Sequence, residues 1–322
     1  MDYIQRLSDR INSDIAKLDF GTEPKNLYSP IRYTLNSGGK RIRPVLCIMA
    51  AEMFGGKYED VIEAAIGIET FHNFTLIHDD IMDKSLERRG QKTVYKKWDT
   101  NIAILSGDAM SVLALERVTK VRNFEVLEIF IQTAIEICEG QQYDMDFERR
   151  LDVSVQEYLK MIKLKTSVLL AASLKTGAFL ASASSEECDN FYNLGINLGM
   201  AFQLQDDFLD TYGNVEKFKK GQLGNDIVSN KKTFLLIRAL EKATPELKAQ
   251  LIHWLNVEIF DGNEKVRAVK KIFDTLHVKE DSENLINEYF QKAETNINNI
   301  GVGLDKKRYL TEIVNNIKNR DY

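Results

Sequence analysis

The distribution of proline is the feature that most constrains the fold of this chain. There are four prolines, and none lies between Pro44 and Pro245. So long a stretch without proline favours uninterrupted helices over turn-rich β structure. Apolar residues within it recur at steps of three and four, for example over residues 61–83, which is the period of an amphipathic helix. The sequence therefore predicts an all-α protein.

Breaks between the predicted helices fall at glycine or polar positions. These breaks are Gly55 and Gly56, Arg89 and Gly90, Asn123, residues 182–185, and residues 213–232. No proline-rich linker, low-complexity tract or fixed-period repeat marks a domain boundary. We expect one domain over residues 1–322, with catalytic motifs in 37–232 and further helices in 245–322.

Composition limits the partners of the chain. Its 43 Lys and Arg against 48 Asp and Glu give a net charge of -5, and no basic stripe is present, so we expect no nucleic-acid partner. Residues 2–17 are polar, which argues against a signal peptide. The most apolar stretch, residues 166–183, contains Lys175 and predicts a core helix. Three widely spaced cysteines, Cys47, Cys138 and Cys188, predict reduced core thiols in a cytoplasmic protein.

Two matched aspartate clusters carry the chemistry. They are Asp79, Asp80 and Asp83 in HNFTLIHDDIMDKSLERRG, residues 72–90, and Asp206, Asp207 and Asp210 in QLQDDFLD. Carboxylates four residues apart lie on one helix face and repel each other. One such cluster is typical of a solvated helix face, but two in one helical chain indicate bound divalent cations. Ligands that are all oxygen favour Mg²⁺ or Mn²⁺ over zinc.

A di-iron carboxylate bundle is a rival interpretation that also uses acidic helices. It requires the pattern Glu-x-x-His on two helices. The chain has one match, from Glu69 to His72, and its four histidines provide no second one. The rival therefore fails.

Basic residues stand close to the clusters, as a phosphate substrate would require. Mg²⁺ held by few carboxylates usually completes its shell with substrate phosphate. The candidate cations are Arg88 and Arg89 after the first cluster, Lys40, Arg41 and Arg43 in SGGKRIRP, Lys165 in the predicted helix with KLKT, and Lys231 and Lys232 in SNKKTF. Gly-Gly-Lys alone would indicate only a flexible loop. The full pattern predicts a diphosphate ester as substrate.

In this order the motifs resemble those of the trans-isoprenyl diphosphate synthases, the head-to-tail prenyltransferases of the polyprenyl synthetase family. The resemblance covers GGKRIRP, a histidine seven residues before DDxxD, RRG, LSGD, KT, QLQDD and NKKT, from Ser37 to Lys232. It implies an all-α isoprenoid-synthase fold around a central cavity and a homodimer. It also implies Mg²⁺-dependent condensation of isopentenyl diphosphate with dimethylallyl, geranyl or farnesyl diphosphate. Residues 233–322 carry no motif.

The resemblance also assigns roles to individual residues. Asp79, Asp83 and Asp206 would hold Mg²⁺, supported by Asp80, Asp207 and Asp210. Arg88, Lys165, Thr166, Gln203 and Lys231 would bind the allylic diphosphate. Gly39, Lys40, Arg43, His72 and Arg89 would bind isopentenyl diphosphate. Lys220, in KFKKGQLGND, is the equivalent of a family lysine before Gly224 and Asp226, but its spacing departs from the family pattern by a residue or two.

These residue types suit the implied reaction. Breaking the allylic carbon–oxygen bond leaves a carbocation and a diphosphate, whose growing charge Mg²⁺ and Arg88 would stabilise. The Lys165 carbonyl, the Thr166 hydroxyl and the Gln203 amide oxygen would provide negative dipoles to the cation. We expect His72 to donate to a diphosphate, and the released diphosphate to take the final proton. His78 receives no role beyond packing.

The residues before the first cluster bear on product length. Thr75 and Phe74 precede Asp79 by four and five positions, roughly 6–7.5 Å along the helix at ~1.5 Å per residue. Phe71, eight positions before, points the same way. In the family that the chain resembles, an aromatic residue at the fifth position, with a small polar neighbour and no two-residue insert in the aspartate motif, is typical of synthases that make a C20 product. The resemblance therefore implies geranylgeranyl diphosphate (C20), with farnesyl diphosphate (C15) as the alternative and longer products blocked by Phe74. Ordinary core packing would also explain a phenylalanine there.

Two alternatives from other classes remain. A noncatalytic partner subunit of the same fold tends to lose aspartates from one cluster, whereas both are intact here. A head-to-head, squalene-type synthase would not need the isopentenyl diphosphate set of Lys40, Arg43 and His72. Both alternatives are weaker than a head-to-tail synthase.

Overall fold

The computed structural model of the chain describes residues 2–214 and 223–320, and these are almost entirely helical. The helices are α1 (Asp2–Ala16), α2 (Lys25–Asn36), α3 (Ile42–Met53), α4 (Tyr58–Met82), α5 (Val94–Lys97), α6 (Thr100–Thr119), α7 (Phe124–Glu148), α8 (Val155–Ile162), α9 (Val168–Leu180), α10 (Ser185–Tyr212), α11 (Asn225–Val228), α12 (Phe234–Lys242), α13 (Pro245–Asn256), α14 (Gly262–Thr275), α15 (Val278–Asn299) and α16 (Leu304–Lys318). The prediction of an all-α protein is confirmed.

Helix ends agree with the local sequence signals. Asp99 begins α6 by accepting a hydrogen bond from the Ile102 amide at 2.8 Å. Ser154 and Glu157 form a reciprocal capping box at the start of α8. The predicted breaks at Gly55 and at residues 182–184 fall between helices, whereas Ser185, the last residue of the second predicted break, begins α10.

One short hairpin is the β structure found in the described residues. Strand β1 (Glu87–Arg88) pairs antiparallel with β2 (Gln91–Lys92), and Arg88 lies opposite Gln91. Arg89 and Gly90 make the turn, both with positive φ. The hairpin follows the first aspartate cluster directly, so it fixes Arg88 and Arg89 close to α4.

The first of two compact units contains Met1–Thr133, Leu169–Tyr192 and Ile300–Leu310. Helix α3 is buried along most of its length, including Val45, Leu46 and Ile48, which have no exposed surface. Helices α4 and α6 pack closely against each other. This unit contains the first aspartate cluster.

The second unit contains Ala134–Val168, Asn193–Asn299 and Thr311–Tyr322. Its apolar core is built by α11 to α15, in the following cluster. The buried members are Ile227, Leu235, Leu236, Ala239, Leu240, Leu251, Val269, Ile272, Phe273, Leu276 and Val278. This unit contains the second aspartate cluster. The prediction that residues 1–322 form one domain stays a prediction.

Two further sequence predictions can be compared with the structure. All three cysteines are free thiols, but Cys138 is exposed, so the prediction of a core thiol was wrong for it. Its position on α7 leaves the side chain at the surface, whereas burial raises the pKa of Cys47 to about 12. Within residues 2–214 and 223–320, the structure contains no helix with the length and apolar content needed to span a bilayer.

Candidate active site

The first aspartate cluster lies at the carboxyl end of α4. Asp83 directly follows the last helical residue, and its amide donates to the Asp79 carbonyl at 2.8 Å. Asp79 and Asp83 therefore share one helical turn, as predicted. Asp80 is buried and accepts a hydrogen bond from Arg88 Nε at 2.8 Å. Burial raises the pKa of Asp80, and the Arg88 charge only partly opposes that shift.

A group of cations without a carboxylate partner lies beside this cluster. Arg43 Nη1 is 3.1 Å from His72 Nε2, and Arg43 Nε is buried without a hydrogen-bond partner. Burial lowers the pKa of Arg43 to about 10, and the nearby Arg89 charge adds to the effect. No ion pair in the described part of the chain includes Arg43 or Arg89. This cation group, Arg43 with Arg89, therefore forms no ion pair with a carboxylate in the described residues, and Arg43 Nε keeps an unused donor.

His72 is neutral in this environment. Burial lowers its pKa well below the ordinary value, and the charges of Arg43 and Arg89 act in the same direction. A guanidinium can only donate, so His72 Nε2 accepts from Arg43. The ring proton is then on Nδ1, which can donate to a bound anion.

The glycine loop is attached to the same cations. Gly38 and Gly39 have positive φ, and Arg89 Nη1 donates to the Gly38 carbonyl and to Ser37 Oγ. A Cβ at Gly39 would lie 3.2 Å from the Arg89 guanidinium carbon. A side chain at Gly39 would displace the Arg89 guanidinium and strain a backbone with a φ of +134°, so glycine suits this close approach. Its role in shaping a substrate-binding loop stays a prediction. Lys40 follows with an exposed side chain.

Arg41, one of the candidate phosphate-binding cations, has a structural role instead. Its guanidinium forms a buried ion pair with Glu69 at 2.7 Å and bonds Asn12 and the Leu35 carbonyl. The pair fixes the start of α3 against α4. Arg41 is therefore already satisfied by the protein, whereas Arg43 is not.

Asp207 is the buried centre of the second cluster. It has 2% exposed surface and accepts hydrogen bonds from the Tyr158 hydroxyl at 2.6 Å and from Gln203 Nε2 at 2.9 Å. Lys231 Nζ lies 3.2 Å from the same carboxylate. These partners hold the Asp207 carboxylate within the protein, and its role in supporting the metal-binding aspartates stays a prediction.

Asp226 adds a fourth carboxylate to this cluster. Burial raises its pKa to about 7, and the charges of Asp207, Asp210 and Asp206 act in the same direction, against the attraction of Lys231 at 3.5 Å. Its amide donates to Asp210 Oδ2 at 2.9 Å. The sequence analysis named Asp226 only as part of the family pattern around Lys220.

The remaining aspartate of the cluster also meets a cation. Arg320 Nη2 is 3.3 Å from Asp206 Oδ1, and its guanidinium lies 4.6 Å from the centre of the Phe202 ring. Gln205 Nε2 donates to the Lys318 carbonyl at 3.0 Å and so fixes the approach of the C-terminal residues to α10. Sequence reasoning missed Arg320, since residues 233–322 carry no motif.

Lys165 and Thr166 were predicted in the middle of an ordinary helix, and the structure corrects this detail. They lie in a π-helical turn, Lys163–Ser167, between α8 and α9. A Cβ at Gly140 would lie 2.3 Å from the Lys165 amide nitrogen, so the glycine lets α7 approach the turn backbone to backbone. π turns widen a helix and are frequent at functional sites.

The side chains of the π turn contact polar residues that lie beside the second cluster. Lys165 Nζ lies 2.5 Å from an Asp144 carboxylate oxygen. The Thr166 hydroxyl donates to Gln203 Oε1 at 3.2 Å. Because Gln203 gives its amide protons to Asp207, its oxygen is oriented toward Thr166. Sequence reasoning missed Asp144, whose only signal was an acidic residue in an apolar helix.

The donors fit a hard divalent cation, but they do not form a complete cage. Each cluster offers carboxylate oxygens one helical turn apart, which is the ligand type that Mg²⁺ prefers. Across the described residues, no group of three or more His, Cys, Asp or Glu side chains converges as a ready-made metal site. A cation would therefore need further oxygen ligands, such as those of a diphosphate.

The predicted chain-length residues lie together on α4. Phe71 is buried, and its ring centre is 5.2 Å from that of Phe74 and 5.3 Å from that of Phe130. The Thr75 hydroxyl bonds the His72 carbonyl at 2.8 Å. Phe130 was not identifiable from sequence, because it belongs to α7. Lys220 lies outside the described residues.

Two acidic clusters, each beside cations, are typical of a class of helical protein that binds diphosphates. Comparisons with known proteins agree. The family model for polyprenyl synthetase matches residues 24–276. The geranylgeranyl diphosphate synthase of Methanosarcina mazei is 42% identical over 75% of this chain and 76% of its own. The geranylfarnesyl diphosphate synthase of Natronomonas pharaonis is 39% identical over 68% of this chain and 70% of its own.

A solved structure extends the likeness to the whole fold. A geranylgeranyl pyrophosphate synthase crystal structure is 41% identical and covers 100% of both chains with a TM-score of 0.94. The chain belongs to the polyprenyl synthetase family and is a prenyltransferase of short-chain prenyl diphosphate synthesis.

Proposed function

We propose that this enzyme condenses isopentenyl diphosphate with an allylic diphosphate, head to tail, and releases geranylgeranyl diphosphate. The observation that carries the proposal is the cation group beside the first cluster. Arg43 has a buried Nε without a partner, and neither Arg43 nor Arg89 pairs with a carboxylate in the described residues. A diphosphate would satisfy both guanidinium groups, and His72 Nδ1 would donate to it as well.

The chemistry assigned to the second cluster follows from its hydrogen bonds. The allylic carbon–oxygen bond breaks, and diphosphate leaves with the electron pair. The Gln203 oxygen and the Thr166 hydroxyl oxygen present negative dipoles to the carbocation, and the Lys165 carbonyl joins them. The isopentenyl double bond then forms the new carbon–carbon bond, and the released diphosphate takes the proton.

Magnesium is part of the proposal. Asp79, Asp83 and Asp206 would hold Mg²⁺, with Asp80 and Asp210 in support. Mn²⁺ is the alternative ion for the same ligands. The bound metal would supply Lewis-acid stabilisation of the charge that develops on the leaving diphosphate. Arg88 and Lys231 would each contact diphosphate, and each already meets a carboxylate of its own cluster.

The C20 product is supported by two observations. Relatives named for geranylgeranyl diphosphate are among the most similar ones, and Phe74 and Phe71 pack together just before the first cluster. Farnesyl diphosphate is the alternative predicted from the sequence. Because a 39% identical relative is named for geranylfarnesyl diphosphate, a C25 product is a second competing outcome that the test must distinguish.

A homodimer is also proposed, and exposed apolar residues support it. Leu105 and Val112 are seven apart on α6 and are 60% and 65% exposed. Phe124 and Ile131 repeat that spacing on α7, with 68% and 43% exposure. Apolar stripes of this kind are typical of subunit contacts. Leu105→Glu should convert a dimer into a monomer in sedimentation, while a monomeric parent enzyme would contradict the proposal.

The cytoplasm is the proposed location of the enzyme. The free thiols of Cys47, Cys138 and Cys188 support it, since reducing compartments keep cysteines unpaired.

The test of the reaction uses purified enzyme, Mg²⁺, labelled isopentenyl diphosphate and, in turn, dimethylallyl, geranyl and farnesyl diphosphate. We expect label in geranylgeranyl diphosphate with all three starters. Asp79→Asn and Asp206→Asn should abolish incorporation while circular dichroism shows a folded helical protein. A C15 or C25 main product would overturn the chain length, and no incorporation would overturn the reaction.

A further inference from the structure

His78 and the Leu105–Asp108 segment have no part in the reaction described so far, yet they form a close contact. The His78 ring lies on the backbone of Gly107, where a Cβ would be 2.4 Å from His78 Nε2. Real Cβ contacts do not approach so closely, so any side chain at this place on α6 would displace the His78 ring. Helices α4 and α6 pack together here, and His78 fills the space that the missing side chain leaves.

The His78 ring is also oriented by hydrogen bonding. Its Nε2 lies 3.2 Å from the Ile104 carbonyl, which can only accept, so Nε2 carries the proton. The Asp108 carboxylate is 3.8 Å away on the same side. Two parts of α6 therefore hold the His78 ring. The Ile104 carbonyl accepts from Nε2, and the backbone at Gly107 packs against the ring.

The opposite contact of His78 is Phe74. The two ring centres are 4.8 Å apart with an edge-on geometry of 70°. Phe74 then meets Phe71 at 5.2 Å, and Phe71 meets Phe130 at 5.3 Å. His78, Phe74, Phe71 and Phe130 form a continuous aromatic row, with separations in the range of favourable ring pairs.

We propose that His78, seated on Gly107, is a positioning residue that fixes the Phe74 ring and thereby limits product length. The inference rests on the proposed function, in which Phe74 ends the space for the growing tail. Phe74 is only partly buried, and the row holds it from both ends through Phe71 and His78. Removing His78 leaves Phe74 with one ring contact and a space into which it can rotate.

The test measures product length with full-length enzyme, Mg²⁺, labelled isopentenyl diphosphate and dimethylallyl diphosphate. His78→Ala should raise the C25 fraction severalfold, because Phe74 can rotate away from the tail. Gly107→Ala should change the distribution as well, since its Cβ displaces the histidine ring. The double variant should match His78→Ala, because the added Cβ then meets an empty space.

A control variant separates packing from charge. Asp108→Asn keeps the shape of the side chain and removes the nearest carboxylate, and we expect the product distribution to stay unchanged. If Asp108→Asn shifted the distribution as His78→Ala does, charge would be the cause and the proposal would be wrong.

The remaining outcomes also decide the question. A purely structural role for His78 would lower the thermal midpoint and total turnover of His78→Ala but leave product length unchanged, which would overturn the proposal. Phe74→Ala, assayed in parallel, keeps this failure separate from a failure of the proposed function. If Phe74→Ala lengthens the product and His78→Ala does not, only the positioning role is rejected. If neither variant changes product length, the proposed role of Phe74 itself is rejected.

Discussion

Lys231 connects two carboxylates of the second cluster, with its Nζ 3.2 Å from Asp207 and 3.5 Å from Asp226. Burial would lower the pKa of Lys231, but the charges of Asp207 and Asp226 outweigh it and raise that pKa above its ordinary value. The ammonium is therefore charged at every physiological pH. Its side chain is 38% exposed, so it can also reach a ligand.

Lys231→Met should remove this charge while keeping the length of the side chain. We expect kcat to fall about 10²–10³-fold, the usual cost of losing one donor directed at developing charge. The control is Lys242→Met. Lys242, on α12, loses its ion pair with Asp281 on α15, and this variant should keep the parent kcat. Equal kcat for both variants would show that Lys231 only compensates charge in the resting protein.

Arg43→Lys should weaken isopentenyl diphosphate binding selectively. Lysine keeps the charge but lacks the planar fork and the buried Nε donor. We expect KM for isopentenyl diphosphate to rise about tenfold to a hundredfold, with KM for the allylic substrate nearly unchanged. The matched control is Arg117→Lys, which changes the ion pair between Arg117 on α6 and Glu63 on α4. A parallel rise in both KM values would place Arg43 elsewhere in the mechanism.

His72 should make the free energy of unfolding depend on pH. Its folded pKa is well below 6.5, so the unfolded chain binds the extra proton first as the pH falls. Its stabilising contribution is therefore complete above about pH 6.5 and decreases as the pH drops below that value. Urea unfolding from pH 5 to 8 should show a smaller decrease for His72→Gln, which keeps an acceptor for Arg43. Parallel curves for the two proteins would mean that His72 titrates normally in the fold.

Phe74→Ala should lengthen the product, because the ring that ends the tail space is removed. We expect C25 and longer diphosphates on reversed-phase chromatography with farnesyl diphosphate as the starter. Phe179→Ala removes a partly buried phenylalanine of the same unit outside the aromatic row and should leave product length unchanged. An unchanged distribution for Phe74→Ala would show that the limit on product length lies elsewhere than at Phe74.

The sequence allowed the helices and the aspartate clusters to be predicted because both depend on local spacing. Asp79 and Asp83 share a turn since they are four residues apart, and the absence of proline permits the long helices. Asp144 and Tyr158 could not be found in this way. They reach the second cluster through tertiary packing, and a lone acidic or tyrosine residue in a helix has no distinctive spacing.

The cations of the site also divide into features that the sequence predicts and features that only the fold shows. Arg88, Arg89 and Arg43 were identified from their motifs, but their partners were not. Arg41 has the same guanidinium group as Arg43 and lies two residues away, yet it forms a buried ion pair with Glu69. Only the folded chain distinguishes a cation that stabilises the protein from one that is available to a substrate.

The π turn Lys163–Ser167 should make the enzyme unusually sensitive to a one-residue deletion in this part of its backbone. Deleting Lys163 would let the widened turn relax to the ordinary α-helical repeat, and Lys165 and Thr166 would lose the orientation that the π turn gives them. Thr166 would then move away from Gln203, although every residue assigned to the substrate site would still be present. A deletion library across α8 and α9 should therefore contain inactive members with intact helix content, and they should concentrate in these five positions.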